Sequence, residues 1–341
     1  MSKKIFDYAC FNPPYQQRSN TSEKPIYNEF MAAAYTIADI VEAITPARFL
    51  FNVGKTPKEW NEKMLNDEHF KVLHYEPSSK EVFPNTNIKG GVVITLHNCN
   101  KKYKPIIEFI ENEILRNIVG KIKNKEEKCI SEIHFNRSSY KFTDTLYKEN
   151  TKLVGRMKKN ERYAFTSNIF DKMPEVFFEQ MPNDCKQYVQ LYGLANNIRT
   201  YKWIRKEYIE EHDNLNKWKV FVAKSNGTGR FGEVLSNLEV AKPGSLCTQT
   251  FISFGNFDDK DSCIALSKYL KTKFCRALLG ACKITPENAR KEVWKYVPLQ
   301  DFSNNSDIDW SKSNIDQQLY KKYNLTNEEI DFIETHVKEM K

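Results

Sequence analysis

No apolar run in this sequence approaches the roughly 20 residues that cross a bilayer as a helix, so no membrane span is expected. The first residues carry no apolar signal core ahead of Ile5-Phe6-Asp7, so a cytoplasmic protein is expected. The eight cysteines (10, 99, 129, 185, 247, 263, 275 and 282) form no CxxC pair, and the six histidines do not cluster with them. That excludes the usual zinc-ligand spacings and leaves reduced thiols without a metal as the expectation. Internal repeats, low-complexity stretches and a PD…(D/E)xK nuclease pattern are also missing. Any DNA cleavage would belong to another chain.

What remains is an ordinary globular composition, 40% hydrophobic and 28% charged over 341 residues, enough for about two domains. The net charge of +8 is unevenly spread. Residues 106–300 hold 33 lysines and arginines against 24 acids, whereas residues 301–341 hold 5 against 9. A basic middle suits a surface that lies on phosphates, although solvated helices can be as basic.

The first hundred residues alternate between strand-like and helix-like patterns. Ile5–Phe11 reads as a buried strand stopped by Asn12-Pro13-Pro14, since proline cannot continue a ladder. Pro25–Ile44 carries Tyr27, Phe30, Ala34, Ile37 and Val41 at helical spacing. Glu42–Phe51 then reads as a second strand. Thr56-Pro57 starts a helix, with Thr56 as its cap, that runs to about Leu65. Phe70–Tyr75 and Gly90–His97 read as the third and fourth strands. Such alternation predicts an α/β layer built on parallel pairing. Lys101–Lys128 reads as a charged helical connector. Short strands, aromatics and polar turns fill the stretch to residue 300, with a helix near Asp261–Leu279. Thr326-Asn327-Glu328-Glu329 is a capping box heading a final helix, whose apolar stripe is Ile330, Ile333 and Val337.

The tetrapeptide Asn12-Pro13-Pro14-Tyr15 carries the most chemistry. An adenine amino group is a poor nucleophile because its lone pair is delocalised into the ring. Two oxygens that accept its N–H bonds favour a more tetrahedral nitrogen and free that lone pair. The Asn12 side-chain oxygen and the Pro13 carbonyl are candidates, held by prolines that fix φ and add no competing N–H. Tyr15 offers a face to a base extruded from the duplex. A bare Asn-Pro-Pro turn is the competing reading. Placement at a strand's C-terminal end, where α/β sheets bind ligands, favours the site.

On these residues the sequence resembles the N6-adenine DNA methyltransferases of restriction–modification systems, especially those in fused restriction–methylation enzymes. FDYACFNPPYQ resembles the family's fourth motif, with Phe11 where glycine is usual. ITPARFLFNVGKTPKEWNEKMLNDEHFKVLHYE resembles the following strand–helix–strand block. EVFPNTNIKGGVVITLHN resembles the eighth motif, and KEVWKYVPLQDF the end of target-recognition regions. The resemblance places Asn12, Pro13, Pro14 and Tyr15 at the amino group and stacks Phe83 across the base; core packing is the alternative for Phe83. It implies a partial Rossmann-like methyltransferase sheet in residues 1–105 and a connector at 106–130. A mixed α+β target-recognition domain follows at 131–300, with a helical tail at 301–341.

In that family S-adenosylmethionine is held by a glycine-rich turn and an acidic strand end upstream of the NPPY strand. Neither is visible here. Gly227-Thr228-Gly229-Arg230-Phe231-Gly232 matches GxGxxG after the strand-like Trp218–Ala223, but Pro243-Gly244 arrives too soon for a full helix. A basic loop that meets DNA through Lys224 and Arg230 fits better, alongside Arg199 and Lys202 in a basic–aromatic stretch. Without the cofactor strands, Ile5–Phe11 would be a bare apolar edge, which proteins avoid. The expectation is therefore a split enzyme that methylates double-stranded DNA with a second subunit supplying the cofactor half, or a remnant of a longer enzyme. Two other classes stay open: a noncatalytic DNA-binding specificity subunit, and methylation of an amine on RNA or protein.

Overall fold

Apolar and β-branched residues fill much of Ala38–Pro46 and Val92–Asn98, which make two interior strands, and the first sheet grows outward from them. The computed structural model describes residues 4–18 and 23–340. The chain divides into two compact units, Met1–Glu113 and Ile114–Lys341. That division falls inside the stretch expected to be the connector.

In the first unit, β1 (Phe6–Phe11) leads through the Asn12–Tyr15 loop to a small hairpin, β2 (Gln16–Arg18) and β3 (Glu23–Pro25). Next come α1 (Tyr27–Ile37), β4 (Ala38–Pro46), α2 (Lys58–Asn66), β5 (Phe70–Glu76), α3 (Ser79–Val82) and β6 (Val92–Asn98). The sheet order is β1-β4-β6-β5. β1 pairs parallel to β4, with Phe11 opposite Ala43, whereas β6 runs antiparallel to both β4 and β5. β1, β4 and β5 thus point one way and β6 is inserted in reverse, so the expectation of parallel pairing is corrected to a mixed sheet. Tyr27, Met31, Phe49, Met64, Phe70 and Val93 fill the core on one face. β1 is an edge, and Ile5, Phe6 and Tyr8 are exposed on it.

Two local expectations need correction. The helix expected over Pro25–Ile44 ends at Ile37 and strand begins at once, since β-branched Ile40 and Val41 pair with β6 and tertiary pairing overrides the helical spacing. Its buried face is Tyr27, Asn28, Met31 and Ala34, while Phe30 and Ile37 are exposed. Thr56 does not cap α2: Pro57 occupies the N-cap, no side chain caps the helix, and Thr56 is buried.

The second unit opens with α4 (Glu113–Lys123), whose apolar stripe buries Leu115, Ile118, Val119 and Ile122. β7 (His134–Phe135), α5 (Asp144–Glu149) and α6 (Ile169–Lys172) follow, then a hairpin of β8 (Tyr188–Ala195) and β9 (Ile198–Arg205). Asn196 and Asn197, both at positive φ (50° and 63°), form its two-residue turn. Asparagine tolerates that left-handed conformation, and a turn with two such residues matches the twist of the strands. β10 (Trp218–Ala223), β11 (Glu239–Ala241), β12 (Ser245–Cys247) and β13 (Phe251–Phe257) complete the strands. They form two sheets, ordered β11-β10-β13-β7 and β12-β8-β9, over a core that includes Phe142, Phe165, Leu191, Phe221 and Phe251. The helix expected over Asp261–Leu279 is two: α7 (Lys260–Lys271) and α8 (Lys273–Gly280). Thr272 leaves helical geometry and caps the second through the Cys275 N–H. α9 (Ile315–Lys322) and α10 (Asn327–His336) close the chain, and α10 begins with the expected capping box at Thr326 and Glu329.

Candidate active site

Proline cannot extend a ladder, so β1 stops at Phe11 and the backbone turns away at the C-terminal end of a parallel pair. Pro13 is buried, Asn12 and Pro14 are exposed, and Tyr15 is half-buried. The hairpin holds the far end of the loop: the Tyr15 carbonyl accepts the Ile26 N–H at 3.2 Å, and Gln16 faces Pro25. The Tyr15 ring packs against the core of the first unit, and its hydroxyl is buried with no hydrogen bond of ordinary geometry. Burial pushes that phenol's pKa up, and the neighbouring Asn12 amide opposes the rise. The Pro13 carbonyl accepts no hydrogen bond among the described residues. The loop thus places an exposed Asn12 amide next to the buried Pro13 at the end of β1.

Beside Tyr15 lies a cavity of about 370 Å³, within the range of small-molecule sites. Residues 46–48 at the end of β4, 53–56 before α2, and 87–89 before β6 form its other walls. Arg48 ties two of these together, since its Nε–H donates to the Lys89 carbonyl at 2.5 Å. The Lys55 ammonium donates to the Glu23 carbonyl at 3.0 Å, closing the hairpin side. Thr56 Oγ1 is buried there, beside the Tyr27 hydroxyl and with no hydrogen bond of ordinary geometry among the described residues.

Phe83 sits at the C-terminal end of α3, half-buried, and its carbonyl accepts the Thr86 N–H and hydroxyl at 3.0 Å each. The segment four to six residues further on lines the cavity with Tyr15, but Phe83 itself does not.

The four basic residues singled out in the second unit are placed differently from one another. Lys202 pairs with Glu179 at 2.8 Å and lies over the Phe170 ring. Arg199 donates to the Asn237 carbonyl at 2.5 Å and stacks on Phe251. Lys224 is half-buried, donates to Ser167 at 3.3 Å, and has its pKa lowered by burial and by Arg137. Arg230 is exposed and carries no side-chain bond among the described residues.

The glycine loop holding Arg230 is committed to the fold. The Glu233 carboxylate accepts the Thr228 N–H at 2.9 Å, the Gly229 N–H at 3.0 Å and the Thr228 hydroxyl at 2.7 Å. Its own chain supplies the anion that such a nest would otherwise take from a ligand. Gly229 and Gly232 are at positive φ, and a Cβ at either would meet backbone at 2.5 Å or less. These glycines are needed for packing. S-adenosylmethionine does not fit this loop.

Residues 1–83 match the family model described as the Eco57I restriction-modification methylase. The first 83 residues are restriction–modification methylase-like. The match covers β1, the NPPY loop and the elements from α1 to α3, ending at Phe83 and before β6. Among solved structures the chain is similar to one described as the type IIG restriction endonuclease BpuSI, at 9% identity and a TM-score of 0.30. That similarity covers 90% of this chain and 45% of the other, so this methylase-like chain spans less than half the length of that protein. No curated protein matches.

Sequence reasoning missed the cationic side of the cavity. Arg48 stands in the quoted ITPARFLF block, where a lone arginine amid apolar residues at a strand end was the available signal. Lys55 and Lys89 carry no such signal, because only folding brings residues 55 and 89 to the same wall.

Proposed function

We propose that this chain supplies the target-base half of a DNA adenine-N6 methyltransferase of a restriction–modification or related defence system. The observation that carries the reading is the placement of Asn12 and Pro13 at the C-terminal end of β1, with the Asn12 side chain exposed next to Tyr15 and a cavity beside them. The Asn12 oxygen and the Pro13 carbonyl accept the two amino N–H bonds of an extruded adenine and leave its lone pair free for attack. Tyr15 stacks on the base, and Phe83 closes over its other face. The methyl donor is S-adenosylmethionine, and on this reading a second subunit supplies its binding half; the alternative is that the chain is a remnant of a larger methylase. The open edge of β1, with exposed Ile5, Phe6 and Tyr8, is where that half adds a parallel strand. Double-stranded DNA lies along the basic second unit, with Arg230 and Lys224 as contacts; Arg199 and Lys202 serve there only if they leave their present partners.

The test is adenine methylation of plasmid DNA in a methylation-free host, with and without the neighbouring genes. Methylation should require the partner and be lost in Asn12→Ala and Tyr15→Ala. Full activity in Asn12→Ala would refute the mechanism. The misfit of the glycine loop favours one other reading, a noncatalytic specificity subunit. Salt-dependent DNA binding with no methylation under any gene combination would establish it.

A further inference from the structure

The cavity beside Tyr15 has a chemistry that amino-group recognition does not use. Three cations line it, Arg48, Lys55 and Lys89, against one carboxylate residue, Glu23. None of the three is ion-paired with a carboxylate among the described residues. Arg48 is half-buried, and its pKa is lowered by that burial. Its Nε is spent on the Lys89 carbonyl, so its two terminal nitrogens have no hydrogen-bond partner among the described residues. Taking a guanidinium partly out of water is costly unless an anion compensates. The buried Thr56 hydroxyl, next to the Tyr27 hydroxyl on the same wall, is a further donor group there. An adenine amino group, itself a donor, uses neither the positive charge nor the free guanidinium edge. A phosphodiester uses both, because its oxygens match the planar N–H pairs of arginine.

We propose that this cavity seats the backbone phosphate next to the extruded nucleotide, with Arg48 as its principal ligand, Lys89 and Lys55 at the rim, and Thr56 donating from the wall. The proposal rests on the base-extrusion reading and adds the group that holds the strand while the base is out. Phosphate contacts fix register without reading sequence, so these residues position the nucleotide and do not select it. Arg48 also links the residues after β4 to the segment before β6. Phosphate binding therefore stiffens two walls of the site together.

The experiment measures binding of the full chain to a duplex with a single adenine opposite an abasic site, which lowers the cost of extrusion. A second duplex replaces the phosphate beside that adenine by a neutral methylphosphonate. The wild type should bind the methylphosphonate duplex about tenfold more weakly or worse, the scale of a lost charged hydrogen bond. Arg48→Gln and Lys89→Gln should bind the natural duplex more weakly and show little further loss on the neutral one. Lys24→Gln, outside the cavity and paired with Glu29, should behave as wild type. Lys89 is exposed, so Lys89→Gln keeps the test open if Arg48→Gln fails to fold. An equal methylphosphonate penalty in wild type and Lys89→Gln would overturn the assignment. Displacement by inorganic phosphate with no methylphosphonate penalty would assign the cavity to a free phosphate and overturn it too. A preserved penalty in a chain that never methylates would defeat the catalytic reading alone.

Discussion

At the scale of single residues, Tyr15 separates ring from hydroxyl. The ring packs on the core, whereas the hydroxyl is buried without a good partner, so the two parts contribute with opposite sign. Tyr15→Phe should leave the thermal midpoint unchanged or raise it and keep methylation, since a stacking face needs no hydroxyl. Tyr15→Ala should cost roughly 2–4 kcal/mol, as large aromatic truncations in part-buried sites do, and abolish activity. Denaturant unfolding of both variants checks this; a Phe variant as unstable as the Ala variant would show the hydroxyl to be structural. Asn12 was legible as a candidate because residue type and position after a strand suffice to suggest the chemistry. The commitments of Arg199, Lys202 and the glycine loop were not legible, because Asn237, Glu179 and Glu233 become partners only through hydrogen bonds that sequence spacing does not announce.

At the scale of elements, what reads locally was correct where local chemistry decides. The capping box of α10 is one case: the Thr326 hydroxyl accepts the Glu329 N–H at 3.3 Å, and Glu329 accepts the Thr326 N–H at 2.7 Å. Glu329 is also buried and pairs with Lys121 of α4 at 2.6 Å. Thr326→Ala should cost about 1 kcal/mol, the ordinary value of a cap, and Glu329→Ala clearly more, because it also strips a part-buried ammonium of its partner. Chemical denaturation of the two variants measures the gap, and equal losses would show that the Lys121 pair contributes nothing. Elsewhere local signals misled. The α1 periodicity continues into Val41, yet Ala38–Pro46 is claimed on both sides by neighbouring strands, and ladder pairing outweighs helix propensity.

At the scale of the whole molecule, stability should depend on acid through His134. This imidazole on β7 is 2% exposed, neither ring nitrogen has a hydrogen bond of ordinary geometry among the described residues, and Phe254 packs edge-on against it at 5.0 Å. Burial lowers its pKa from 6.5 to about 4, and nearby Lys291 adds to the drop. A folded pKa below the unfolded one means that the unfolded chain binds the proton first. The stabilisation is therefore complete above pH 6.5 and is lost as pH falls through about 4. The loss is on the order of 3 kcal/mol. Thermal midpoints from pH 7 to 4 should fall less in His134→Phe than in wild type, and parallel profiles would dismiss the effect. No described helix is long and apolar enough to cross a membrane.

Strand-stopping prolines, β-branched runs and helix caps act over a few residues, so the linear order was sufficient to specify β1, the NPPY loop, β5, β6 and α10. The open edge of β1 was already expected from the sequence. Sheet order and the reversed insertion of β6 depend on pairing between segments tens of residues apart, and only the tertiary structure decided them. The cationic cavity belongs with these. Arg48, Lys55 and Lys89 have no shared local pattern, and they come to line one cavity only when the fold brings three separate loops together beside Tyr15.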